Sequence, residues 1–479
     1  MPLILPGNVG SATAATGFNV ANSCRFNSVD NAYMGKTSGS NGTATSGTFS
    51  CWIKRGNLGA TSSIMSQVED SSNFLILRFT SGNALDLRWR DGGSGTDANL
   101  TTNRLFRDPS AWMNIVVKFL TSDGTGSNRV KIYINGVQET SFSSSDYPTQ
   151  NDPLYGNVSS GVYRIGDNGF GATGEDFDGY ITEVVWLDGT STTSTSFGEF
   201  DEDSGIWKPK DVSGLTFGTN GFYLDFEASG NLGNDANGGT DLTEVNLAAI
   251  DQSTDTCTNN FATLNPLNPI VHTFEEGNLR IDGSGDNWDS AFSTIGASSG
   301  KFYFELKFLA LSGGLRRAAM GVVDARGQTQ FATNEVGYNV TNATGDSVGY
   351  NGNGTSNTIK KNDSAQYNGT EWSVDDIICM AVDLDNGAVY FRVNGGSFLN
   401  SGDPTSGSNR TGAVTLTTGE SYVFGGTAYG ATTEWEFNFG SPCYSESGGN
   451  SDANGHGNFN QAVPSGYFAL CTKNLAENS

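Results

Sequence analysis

A chain of 479 residues is too long for one ordinary sandwich domain and fits two β domains with linkers. Its 64 glycines against 11 prolines suit short strands joined by turns that need positive φ, and no long stretch carries the 3.6-residue apolar period of a helix. With 51 Asp and Glu against 26 Lys and Arg, the formal charge of −25 argues against nucleic acid and anionic lipid as partners, and no apolar run approaches the ~20 residues of a membrane span.

The start, MPLILPGNVG, has no basic stretch before its short apolar run, and Pro6 interrupts that run, so no cleaved signal peptide is expected. Residues 1–19 read as an extended arm: Pro2 and Pro6 disfavour helix, VGSATAATG is nearly featureless, and the LIL run needs a surface to dock on. The plainer alternative is a frayed terminus.

Residues 20–200 are expected to form the first sandwich. In GTFSCWIKRG, Phe49, Cys51 and Ile53 share a face, and LDLRWR places Leu85, Leu87 and Trp89 together. The stretch 111–137 sets Met113, Ile115, Val117 and Phe119 on one strand. After a polar turn, Val130, Ile132 and Ile134 lead to Asn135-Gly136. GDNGFGATGEDFDGY offers Asp167, Glu175, Asp176 and Asp178 as hard oxygen ligands; a solvated acidic loop is the expected reading, with a structural calcium as the alternative. GYITEVVWLDG reads as a buried strand. In GEFDEDSG the alternating Glu199, Asp201 and Asp203 are the nearest match to paired glycosidase carboxylates. Their Ser, Thr and Gly surroundings favour an acidic turn.

Residues 201–269 read as a connector. GFYLDFEA is a short strand able to pair with either sandwich. GNDANGGTD begins like an EF-hand loop but has Gly239 at the fifth ligand place. Two Asn-Pro steps stiffen the entry to the second sandwich, residues 270–442. KFYFELKF places Phe302, Phe304, Leu306 and Phe308 on one face. The stretch 371–396 repeats the earlier hairpin, with Ile378, Met380, Val382 and Leu384 leading in, Val389, Phe391 and Val393 leading out, and Asn394-Gly395 closing it. EWEFNFG aligns Trp435, Phe437 and Phe439, with Glu434 and Glu436 on the opposite, solvated side. Residues 443–479 read as a loop and a closing strand.

The only histidines, His272 and His456, are isolated and give neither a catalytic pair nor zinc spacing. The six cysteines form no CxxC pair and are expected as thiols, with a Cys443–Cys471 bridge the alternative. Phe170 and Tyr350 are loop aromatics in company suited to a sugar. No catalytic, cofactor-binding or metal-binding residue is assigned.

These residues carry a resemblance. FSCWIKR, WMNIVVKF, RVKIYINGV and FDGYITEVVWLDG make residues of roughly 20 to 190 resemble a laminin-G-like (LamG), concanavalin-type jelly roll. GKFYFELK, MGVV, VGYNGNG, AVDLDNGAVYFRVNGG and FNFG make the second half resemble a SPRY domain. The segment between, with FGEFDEDSGIWKPK, GTNGFYLDF and NNFATLNPLNP, resembles a connector in structural proteins of tailed bacteriophages, marine ones especially. Those proteins are commonly labelled tail fibres, and PSGYFALCTKNL fits the same group.

The expected fold class is all-β: two concanavalin-like jelly-roll sandwiches, LamG-like then SPRY-like, with an extended N-terminal arm. The resemblance implies a non-enzymatic virion surface protein, either a capsid decoration, a head fibre or a short tail fibre. It would be assembled in the bacterial cytoplasm, anchored to other virion proteins through its arm, homo-oligomeric, and directed at a host-surface glycan or receptor. The alternatives are a secreted or cell-surface lectin or adhesin and, further off, a concanavalin-fold glycosidase. Deleting residues 1–12 is expected to abolish attachment to the particle while both domains still fold, checked by sedimentation with virions and circular dichroism.

Overall fold

The computed structural model describes residues 17–478 apart from the short segments 93–96, 172–173, 269–271, 284, 341–344, 355 and 446–448. Residues 1–16 of the expected arm lie outside the described residues. Val20 is already buried, its N–H donating to Thr258 Oγ1 at 3.1 Å. The fold is all-β, with two compact units, one ending at Thr258 and the other beginning at Asn259.

In the first unit two antiparallel sheets face each other. One runs Val137–Gln138, Val130–Ile134, Met113–Leu120, Ser46–Arg55, Gly179–Asp188, Ser23–Phe26 and Gln252–Ser253, with Phe222–Leu224 also paired to Gly179–Asp188. The other runs Phe142–Asp146, Asp97–Leu105, Ala84–Asp91, Asn73–Phe79, Ser62–Asp70, Val162–Ile165, Tyr33–Thr37 and Thr243–Val245. The alternating residues meet between them: Phe49, Cys51, Ile53, Ile115, Val117, Phe119 and Ile132 from the first sheet pack against Leu85, Leu87, Trp89, Leu75 and Leu77 from the second. Residues 201–258 contribute to this unit, and GFYLDFEA takes the first sandwich as its partner.

The second unit repeats the plan. One sheet runs Thr273–Glu275, Arg280–Asp282, Glu434–Asn438, Lys301–Ala310, Ile377–Asp383, Ala388–Val393 and Val414–Thr415. The other runs Trp288–Phe292, Tyr422–Tyr429, Ala318–Asp324, Ser347–Asn353, Ser356–Lys361 and Ser364–Asn368. Phe304, Leu306, Phe308, Met380, Phe391, Trp435 and Phe437 fill the space against Met320, Val322, Val348, Tyr350 and Phe424. Tyr350 therefore lies on a strand and is fully buried, its hydroxyl donating to the Thr370 carbonyl; it is a core residue, not a loop aromatic.

The repeated hairpin cue has one mechanism in both units. Asn135 and Asn394 adopt the left-handed conformation, at φ 47° and 52°. Each accepts a backbone N–H from across the hairpin on its Oδ1, Asn114 N at 2.7 Å and Ile377 N at 2.9 Å. Each also donates its own N–H to the carbonyl of that same residue. The Asn thus clips the end of the ladder as well as turning the chain. Gly136 is needed for φ 82° and for space, because a Cβ there would stand 2.4 Å from the Trp207 ring.

The central sheets are covered on their outer faces too. In the first unit Val116, Tyr133, Val185 and Leu187 point away from the sandwich interior and are closed over by Phe197, Val212, Phe217 and Tyr223. Beside them Trp52, Trp112, Tyr180 and Trp207 cluster around a buried ion pair, Lys54 Nζ to Asp255 Oδ2 at 2.7 Å. Trp112 Nε1 donates to the other oxygen of Asp255 at 3.0 Å. Burial lowers the Lys54 pKa from its ordinary value, and Asp255 offsets part of that shift.

In the second unit the outer face carries Tyr303, Glu305, Cys379 and Arg392, all buried. Glu305 accepts the N–H groups of Asn460 (2.9 Å) and Gln461 (2.7 Å) and the Tyr444 hydroxyl (3.1 Å), holding the C-terminal segment down. Residues 467–471 make isolated bridges to Phe302 and Phe261 instead of a ladder, and a helix, Thr472–Asn478, follows. Among the described residues, which include all six cysteines, there is no disulfide.

Removing one partner of a buried pair strands the other charge, at a cost of ~3–5 kcal/mol. Asp255→Ala is expected to destabilise the first unit by about that amount in urea unfolding. The double variant Lys54→Met/Asp255→Leu should recover most of the loss.

Candidate functional site

The acidic candidates each have local partners. Glu199 and Asp201 lie at a two-stranded hairpin, Gly198–Phe200 with Trp207–Pro209, where Lys208 stands 3.6 Å from Glu199 and 3.3 Å from Asp201. The Ser204 N–H and hydroxyl on Asp201 pull its pKa down to about 2. Asp203 stays in the turn, its N–H donating to Asp201 Oδ1 at 3.2 Å. These groups form a salt-bridged turn and not an acid/base pair.

Asp167 takes the Arg164 guanidinium at 3.0 Å, and Glu175 takes Arg78 at 3.2 Å together with Asn168 Nδ2 at 3.1 Å. Asp178 accepts from the Ser28 hydroxyl at 3.3 Å, and burial raises the Asp176 pKa. Among the described residues no three His, Cys, Asp or Glu side chains converge as metal ligands. In GNDANGGTD, Asp235 and Asp241 accept N–H groups from their own loop, and Gly239 lies against Asp235.

Glu434 pairs with Arg280 at 2.8 Å and is half-buried, but Glu436 is buried, contrary to the solvated side expected for it. The Arg280–Asp282 strand lies alongside, with Arg280 directly opposite Glu436, and covers the carboxylate. His272 is buried, 3.8 Å from Asp289, and His456 sits in a loop with its N–H on Asp452. Phe170 does present an exposed ring, edge-on to Phe74 at 5.1 Å.

Sequence reasoning missed a buried carboxylate with a strongly raised pKa. Glu183 lies in the strand Gly179–Asp188 at φ 51°, where the register against Ser46–Arg55 slips by one residue. Strict alternation from Ile181 would aim Glu183 into the core; the bulge rotates it out and turns Val184 and Trp186 inward. It is buried all the same, and the Tyr223 hydroxyl donates to its two oxygens at 3.0 and 2.9 Å. Burial raises its pKa from 4.5 to about 8. Enclosed by Tyr223 and lining neither of the surface cavities described below, it is a structural acid.

A site with open, unengaged chemistry lies at the edge of the first sandwich. The edge strand of one sheet, Val137–Gln138, and that of the other, Phe142–Asp146, flank a cavity of about 240 Å³. The short helix Gly126–Arg129 forms a further wall. Arg129 fixes that wall, donating to the carbonyls of Asp123 (2.9 Å), Pro148 (2.7 Å) and Gly124 (3.4 Å), which brings Tyr147 alongside. Ser127, Asn128, Lys131, Gln138 and the Tyr147 hydroxyl line or border the space, and none of these side-chain groups has a hydrogen bond or ion pair among the described residues. The half-buried rings of Tyr147 and Phe142 rest on the core. An aromatic ring with unspent donors and acceptors suits a small polyhydroxylated ligand. The available signal was the lone aromatic in SSSDYPTQ.

Residues 30–195 match the Laminin_G_3 family, described as the concanavalin A-like lectin/glucanases superfamily. No curated protein matches the chain. Among solved structures, a heptameric SAP-like pentraxin from Limulus polyphemus is similar at 15% identity, over 37% of this chain and 82% of that one, with a TM-score of 0.28. The SPRY domain of human HERC1 is similar at 11% identity, over 36% and 96%, with a TM-score of 0.28. Mouse laminin α1 domains LG4-5 are similar at 9% identity, over 96% and 90%, with a TM-score of 0.30.

Because the folded state holds the proton on Glu183 up to about pH 8, the stability this group contributes is fully present below about pH 4.5 and is lost as pH rises through that window. Glu183→Gln is expected to remove that slope, gaining up to roughly 5 kcal/mol over the parent at about pH 9, read from urea unfolding against pH.

Proposed function

We propose that this chain is a non-enzymatic binding protein that takes a saccharide in the edge groove of its first sandwich. The observation that carries this is the groove itself: Tyr147 and Phe142 as an aromatic wall, with Ser127, Asn128, Lys131 and Gln138 unspent around it. The match of residues 30–195 to a family of lectins and glucanases supports the same class of ligand. Carboxylates that neutralise lysines or serve the fold favour binding over hydrolysis.

The setting proposed is a virion surface, as a capsid decoration, head fibre or short tail fibre that binds host-surface glycan. The residues that support it are those of the connector, FGEFDEDSGIWKPK and NNFATLNPLNP, and of the ending PSGYFALCTKNL. Anchoring through residues 1–19 and homo-oligomerisation belong to the same proposal. The exposed edge strand Ser364–Asn368 of the second unit, which pairs on one side only with Ser356–Lys361 and is no part of the groove, is the kind of element that symmetric partners cover.

A glycan array followed by calorimetry should show a bound oligosaccharide whose affinity falls about tenfold, ~1.4 kcal/mol, in Tyr147→Ala. Reducing-end assays should detect no cleavage. Absence of any bound glycan, or a Tyr147→Ala variant with full affinity, would sink the groove reading. A protein missing from purified virions would leave the cell-surface lectin reading in its place.

A further inference from the structure

A second cavity, of about 150 Å³, opens on the same unit where the strand Asp97–Leu105 ends, lined by Arg104, Phe106, Arg107, Asp108, Trp112 and Asn135 among others. The segment under it is rigid. Phe106 is buried, its N–H donating to the Asn83 carbonyl at 2.8 Å. Its carbonyl accepts from the buried Arg55 guanidinium at 2.5 Å, and Arg55 is held in turn by Asn83 Oδ1 at 3.0 Å. Above this base Arg104 lies over the Phe106 ring at 5.2 Å.

Arg104 and Arg107 are exposed, and among the described residues neither guanidinium makes an ion pair or a hydrogen bond. Asp108, which also lines the cavity, has one oxygen taken by the Ser110 N–H and hydroxyl, at 2.8 and 2.5 Å. Asn135 adds a donor: its Oδ1 accepts the Asn114 N–H, and its Nδ2 has no partner among the described residues. On a chain with 51 acidic side chains against 26 basic ones, two unpaired guanidinium groups on one short, anchored segment are a local reversal of the field.

We infer that Arg104 and Arg107 bind the carboxylate or sulfate substituent of an acidic saccharide, an assignment that rests on the glycan reading above. Guanidinium groups match such planar or tetrahedral oxyanions with parallel N–H donors. An anionic group on a sugar fits better than a nucleic-acid backbone, because binding a polyanion needs many phosphate contacts and the remainder of this surface opposes them. The two sites are also bridged: Asn103, just before Arg104, bonds Ser141 through its side chain at 3.0 Å and through its backbone at 3.0 Å. Ser141 directly follows Glu139 and Thr140, which border the edge groove.

The test is calorimetry on the full chain with a hyaluronan hexasaccharide, its carboxyl-reduced counterpart, inorganic sulfate and an oligothymidylate. The acidic hexasaccharide should bind about tenfold tighter than the reduced one, and added salt should shrink that difference. Arg104→Ala/Arg107→Ala should erase the difference while the reduced form still binds, with circular dichroism melting to verify folding; Arg104→Lys/Arg107→Lys should retain part of it. Equal affinity for the two hexasaccharides, or no effect of the alanine pair, would overturn the inference. So would sulfate binding as tightly as the saccharide, an adventitious ion only, or tighter binding of the oligothymidylate. If neutral glycans bind with Tyr147 dependence while the acidic preference is absent, this inference alone fails; if no saccharide binds at all, the proposed function fails with it.

Discussion

One sheet of each sandwich carries large apolar side chains on its outer face as well as its inner one, and much of the rest of the chain serves to cover that outer face. A two-layer sandwich buries one face of each sheet and leaves the other to water. Here Val116, Val185 and Leu187 in the first unit, and Tyr303, Cys379 and Tyr390 in the second, point away from the layer interior. Exposing them would leave contiguous apolar surface. The chain therefore lays Phe197, Trp207, Val212 and Phe217 over the outer face in the first unit, and holds Tyr444 and the backbone at 460 and 461 on the outer face in the second. Each cover is pinned by a buried carboxylate that sheet and cover share: Asp255 reaches into the sheet to Lys54, and Glu305 reaches out of it to the backbone at 460 and 461. Hydrogen-bonded anions of this kind add little net stability over apolar residues of the same shape, but they permit one seating of the cover and penalise the others.

Covering the faces decides where ligands can go. With the broad surface of the first unit's central sheet closed by its own chain, the approachable chemistry moves to the sandwich edge and the loop rim. Both cavities are there, and both are built on fixed supports. Arg129 ties one wall to three carbonyls, and Arg55 ties the floor of the other to Phe106 and Asn83. Supports of this kind reduce the side-chain ordering that binding would otherwise cost.

Much of the fold was legible because local and long-range preferences agree. Period-2 alternation in Phe49, Cys51 and Ile53, or in Trp435, Phe437 and Phe439, reports a covered face directly, and the two Asn turns carry their own register lock in the side chain. Alternation says nothing of what lies on the second face, so the covers were read as connector and tail. It also assumes an unbroken pleat, which hid the bulge that rotates Glu183 out of the core. Glu436 was misplaced for a related reason: its neighbour strand, Arg280–Asp282, is three residues long and too short to announce itself. Tyr350 looked like a loop aromatic because glycine and asparagine surround it. Those glycines sit inside a paired strand, Gly349 against Gly321 and Lys360. The edge groove is assembled from residues spread between 127 and 147, and no pattern in the sequence marks which polar side chains will be left without partners once the strands pair.

The acidity of the chain then bears on selectivity as well as on solubility. Most interior carboxylates have a fixed partner, so the excess charge sits on the surface, where salt screens its field beyond a Debye length of ~8–10 Å. A ligand carrying charge along its whole length meets that excess wherever it extends beyond a basic spot. A ligand that is neutral over most of its contact, with one anionic substituent placed at Arg104 and Arg107, meets the attraction and little of the repulsion. Recognition on such a surface depends less on total charge than on where along the ligand the charge falls. A saccharide, whose hydroxyls are neutral and whose acidic groups are discrete, meets this condition.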